Sequence, residues 1–158
     1  MKKEDNLKEQ FKQALISTVK VISDEYKIEK ELNKNLSSKN YNFFELDNLS
    51  SKQDYIKIRA QTDSEALKRK FSNKEIYQKN LPNNSSYKSL YDISEKVRYE
   101  LLGSRMLKGI SNNLNENYNY KLSLKRKDQL KTKDDVSVIE AFELYMLKNF
   151  LNIKLNAL

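Results

Sequence analysis

The sequence predicts a mainly α protein: a compact helical domain around one long central helix, with minor extended segments. Three observations carry this. Between Ser85 and Leu114, the residues Leu90, Ile93, Val97 and Leu101 recur at the spacing of one helical face. The 158 residues include one Pro and two Gly, too few for the tight turns of an all-β chain. Both ends of the chain are amphipathic at helical period, from Glu4 to Ser23 and from Val138 to Phe150.

In the first segment Leu7, Phe11, Leu15, Thr18, Val19 and Ile22 share a face, and Lys8, Glu9, Lys12 and Lys20 point away. Lys27 to Leu32 alternates polar and apolar residues and reads as a short extended piece. Asn33 to Asn42 is loop-like. Tyr41 to Leu49, with Phe43, Phe44 and Leu46, is expected to drape over the core. Tyr55-Ile56-Lys57-Ile58-Arg59 alternates and predicts a short strand or an extended lead-in. Thr62-Asp63-Ser64-Glu65 reads as a helix start, with Ala66, Leu67 and Phe71 as its apolar side. Ser72-Asn73-Lys74-Glu75 reads as a second start. Pro82 to Ser86 is the clearest break, and its serine pair is placed as the cap of the long helix.

After Leu101 the apolar face of that helix turns polar, and Tyr99, Gly103, Met106, Ile110 and Leu114 line up on the other side. The helix is therefore expected to be clamped between two partners or to bend near Gly103. Both glycines of the chain, Gly103 and Gly109, lie here. Each costs about 1 kcal/mol relative to Ala in a helix, so we read them as points of close backbone packing in preference to a hinge. The Asn-rich run from Asn112 to Asn119 is expected to end the helix, and residues 119–133 to form a mobile connection. Asp134 or Asp135 then opens the last helix, whose broad apolar face is Val138, Ile139, Phe142, Tyr145, Met146 and Phe150. One domain over 1–158 accommodates all of these.

Cys and His are both absent. This removes disulfides, thiolate metal sites, the usual zinc ligands and His-based triads. There is no Gly-rich phosphate loop. The paired acids Asp24-Glu25 and Asp134-Asp135 read as caps or solvated charges. No catalytic, metal-binding or cofactor-binding residue is assigned. No apolar run approaches the about 20 residues that cross a bilayer, and the expected location is cytoplasmic. The net charge is +8, which raises a second reading, a basic helical nucleic-acid-binding module using Lys68-Arg69-Lys70 and Lys121 to Lys133. Most basic residues are interleaved with acids, so the solvated-surface reading is preferred.

The segment Arg98-Tyr99-Glu100-Leu101-Leu102-Gly103-Ser104-Arg105-Met106-Leu107-Lys108-Gly109-Ile110-Ser111-Asn112-Asn113-Leu114 resembles, without a gap, a motif of the CobT subunit of aerobic, ATP-dependent cobaltochelatase. Arg98, Glu100, Gly103, Ser104, Arg105, Gly109, Asn113 and Leu114 match that motif. Met106 stands where a second Arg is usual and Leu107 where Met is usual, so a role needing adjacent cations does not carry over. Phe11 to Ala14, Arg59 to Leu67 and Val138 to Leu151 are similar to further family segments in order and spacing.

The resemblance covers the family's N-terminal region. The acidic linker and C-terminal von Willebrand factor A domain of the full-length subunit are expected to be absent. The resemblance implies a non-catalytic subunit of a ligase complex in cobalamin biosynthesis. In that complex Co²⁺ enters hydrogenobyrinic acid a,c-diamide with ATP hydrolysis. An AAA+ subunit (CobS) and a large subunit (CobN) are the implied partners, with homo-oligomers also open. ATP, Mg²⁺ and Co²⁺ are used by the complex and not bound by this chain. The eight matching residues are the candidate interface. Arg98, Glu100 and Arg105 are either polar contacts or an internal ion pair in which Glu100 meets a nearby Arg.

Overall fold

The computed structural model describes residues 2–24, 49, 51–124 and 136–153. Among them are six helices and no strand: α1 (Lys2–Ser23), α2 (Lys52–Phe71), α3 (Lys74–Lys79), α4 (Ser85–Met106), α5 (Lys108–Ser123) and α6 (Val138–Phe150). The segments read as Lys27–Leu32, Asn33–Asn42 and most of Tyr41–Leu49 lie outside the described residues, as do Asp134 and Asp135. The chain divides into two compact units, 1–70 and 71–158.

In the first unit, α1 follows its predicted face: Leu15, Val19 and Ile22 are buried, while Leu7 is exposed. Phe11 meets Tyr55 edge-on, with ring centroids 5.0 Å apart. The helix stops at Asp24, whose φ of 58° is left-handed, a conformation that a short polar side chain tolerates.

The expected strand at Tyr55–Arg59 is helical instead. The helix begins ten residues before the expected start at Thr62, because Ser51 and Asp54 cap it reciprocally. The Ser51 N–H and hydroxyl donate to Asp54 Oδ2 at 2.9 and 2.8 Å, and the Asp54 N–H returns to Ser51 Oγ at 3.3 Å. Five alternating residues without a partner strand cannot satisfy their backbone, whereas a capped helix does so locally. Thr62 and Asp63 are then interior residues of α2, both buried, beside Ile58, Ala66 and Leu67.

In the second unit, Asn73 caps α3, accepting from the Glu75 and Ile76 N–H groups. The cap of α4 is Asn84, which accepts from the Ser86 and Tyr87 N–H groups. The serine pair predicted for that role occupies the first helical turn. The Tyr77 hydroxyl donates to Asp92, and its ring lies 5.3 Å from that of Tyr91, holding α3 against α4. That bond pushes the Tyr77 pKa up to about 12.

The helix predicted from Ser85 to Leu114, clamped between partners or bent near Gly103, is two helices that part at Leu107, four residues beyond that glycine. Leu107 is extended, with φ −136° and ψ 115°. Its N–H closes α4 on Gly103 O at 2.9 Å, and its carbonyl accepts from Ser111 N–H at 3.2 Å to open α5. One residue therefore ends one helix and begins the next. The Asn-rich run lies inside α5, which extends to Ser123 and so takes in residues 119–123 of the expected connection. Residues 125–135 lie outside the described residues. Packing against α4 are α5 and α6. Ser137 caps α6, and the left-handed Asn152 follows it, with the Ile153 N–H bonding back to Leu147 O. Val97, Ile110, Leu114, Tyr118, Leu144 and Leu147 are buried in this unit.

Candidate functional site

The α4–α5 hairpin carries the whole segment Arg98–Leu114, and the eight candidate residues divide between its interior and its surface. Glu100 is 1% exposed, and its Oε2 accepts the Tyr118 hydroxyl at 2.6 Å. The partner comes from α5, 18 residues on. An ion pair of Glu100 with a nearby Arg was one expectation. Arg98, two residues away, leaves the helix in a different direction from Glu100. Arg98 instead forks onto Glu95 at 2.9 and 2.6 Å and donates to Phe71 O at 2.7 Å. The fork holds the Glu95 carboxyl below its usual range and raises the Arg98 pKa.

Burial, followed by the charge of Glu100, pushes the Tyr118 hydroxyl well above its ordinary pKa, so it remains a donor. Lys96 and Lys121 place their ammonium groups 5.5 and 5.8 Å from the Tyr118 ring centroid. The neighbouring Asn117 is buried, and its Oδ1 has no hydrogen-bond partner among the described residues. Gly103 and Leu114 are buried, and Ser104 and Asn113 are half-buried. Burial takes Glu100, Gly103 and Leu114 out of reach of any partner docking on this conformation.

Arg105 and Gly109 face outward. The packing reading of Gly109 is corrected here: a Cβ built on it meets nothing within 4 Å. The Arg105 side chain makes no ion pair or hydrogen bond among the described residues. Sequence reasoning missed three neighbours of these two. Leu102, Met106 and Leu107 are exposed by 37%, 44% and 45%. Met106 had been placed on an apolar face of a continuous helix, and the break at Leu107 turns it to the surface.

Of the basic runs, Arg69 pairs with Glu65 at 3.2 Å and Lys70 with Asp24, both within the first unit. Most of Lys121–Lys133 lies outside the described residues. Among the described residues no three His, Cys, Asp or Glu side chains gather where they could hold a metal ion. No helix among them is long and apolar enough to cross a membrane. Among the described residues the arrangement is one of internal ties and an outward tip.

Comparison with known proteins gives one finding. The family model of the cobalamin biosynthesis protein CobT matches residues 5–151. No curated protein and no solved structure matches the chain.

Proposed function

Because the chain belongs to the CobT family of cobalamin biosynthesis proteins, we propose that it acts as a non-catalytic subunit region of an ATP-dependent cobaltochelatase. In this reading it contributes contacts that couple an AAA+ motor to insertion of Co²⁺ into hydrogenobyrinic acid a,c-diamide. The metal ion is substrate of the complex, and ATP with Mg²⁺ belongs to the motor subunit. The family match over residues 5–151 carries the reading. The hairpin is consistent with it: Glu100 and Tyr118 tie α4 to α5 from inside, leaving the tip free for contact.

The test is co-purification of the chain with the AAA+ and large chelatase subunits of the same source, with and without ATP. Retention of the AAA+ subunit, altered by ATP, is the expected result. A well-folded chain that retains neither subunit would overturn the reading.

A further inference from the structure

We propose that the α4–α5 elbow is a docking surface for an acidic, apolar-anchored segment of a partner protein. The argument starts from exposure. Leu102, Met106 and Leu107 are exposed together. Leu102 and Met106 sit one turn apart on α4, and Leu107 follows directly. Single exposed apolar residues are ordinary, but a cluster at one point marks a contact site. Gly109 adjoins them and presents open space where a side chain would stand. A partner backbone can therefore approach α5 closely there.

Charge selects the occupant. Arg105 and Lys108 flank the apolar cluster, both exposed and neither engaged with another side chain among the described residues. No Asp or Glu occurs from Leu101 to Asn115 to neutralise them within this stretch. The first turn of α5 carries no acidic residue and no side-chain cap, so its positive end is uncompensated on the same surface. Met and Arg are enriched at interface cores, and an apolar centre rimmed by cations is complementary to an acidic segment bearing a large apolar anchor. Another exposed apolar pair of this unit, Val138 and Tyr145 on α6, has both Glu140 and Lys148 on its helix and selects no sign of charge.

This inference rests on the subunit role proposed above, and the experiment separates the two. The full chain carries Leu107→benzoylphenylalanine, with Ile76→benzoylphenylalanine as the control at another exposed apolar position. Each is irradiated with the purified AAA+ and large chelatase subunits and, separately, in cells of the source, and adducts are mapped by mass spectrometry. The expected result is an adduct from position 107 and not from 76, on a segment of net negative charge with a large apolar residue. Arg105→Glu with Lys108→Glu lowers its yield by about tenfold at unchanged helicity, and Gly109→Leu does the same by filling the open space.

No adduct, equal adducts from both positions, or an adduct on a neutral or basic segment or on a second copy of the chain overturns the proposal. An acidic adduct on a protein outside the chelatase upholds the elbow and removes the subunit role. Chelatase subunits that bind with affinity unmoved by the elbow variants uphold the role and remove the elbow.

Discussion

On the inner side of the α4–α5 hairpin, Glu100 meets Tyr118, and Val97, Ile110 and Leu114 are buried. At its tip, a Cβ at Gly109 would meet nothing within 4 Å, and Arg105, Met106 and Leu107 are exposed. Both sets belong to one short stretch of sequence. The inner set determines whether the hairpin forms, and the outer set is free to determine what the hairpin meets. A motif of this kind is therefore two motifs threaded together, and substitutions should sort by side rather than by position.

The comparison breaks most visibly at Leu114, 2% exposed. Leu114→Ala should cost about 2–5 kcal/mol, read as a lower denaturant midpoint at unchanged slope. An effect under about 1 kcal/mol would mean that the inner side is not a packed core.

Next comes Tyr118→Phe, which keeps the ring and removes the donor to Glu100. The expected cost is about 1.5–3 kcal/mol, the range for hydrogen bonds to charged groups. Equal stability of the variant by urea unfolding would show that the tie contributes nothing.

The Arg98–Glu95 pair lies between the extremes, with side chains 45% and 19% exposed. Glu95 has a folded-state pKa below its ordinary value. Its contribution is therefore present above the ordinary carboxylate range and is lost as pH falls through the lowered value. Arg98→Ala should flatten that part of the acid limb of stability against pH. Solvent screening keeps the change at neutral pH to about 1 kcal/mol or less from the pair itself. An acid limb identical in variant and parent would assign the pH dependence to other groups.

The smallest effect has the opposite sign. Gly109→Ala, in open space on a helix, should raise stability by about 0.5 kcal/mol by restricting the unfolded chain. Destabilisation in a thermal melt would mean that something crowds this position after all.

Much of this was readable from the residues, and the failures share a physical cause. The face of α1 and the start at Asn73 follow from local periodicity and capping, which short stretches of sequence record directly, whereas the last helix, expected to open at Asp134 or Asp135, is capped by Ser137. The pair of Arg98 with Glu95 is likewise local, three residues apart on one helix. The start of α2 was also written locally, in Ser51 and Asp54, but the alternation of Tyr55 to Arg59 masked it.

The break at Leu107 has neither Pro nor Gly at the joint. Its one trace is the change in phase of the apolar residues after Leu101, which a continuous helix explains as a change of face and two helices explain as a change of axis. Glu100 with Tyr118 was not readable, because the pairing exists only once the chain has doubled back. Gly109 was misread for the same reason: a residue interior to one long helix becomes an outward residue at the start of the next.

Leu107 closes α4 with its N–H and opens α5 with its carbonyl, so the joint contains no spare length. An inserted residue would advance α5 by about 100° around its axis, swinging Ile110, Leu114 and Tyr118 out of the interior together. The two helices are geared to one another through a single tooth. At this joint the number of residues is specified more tightly than the identity of any one of them.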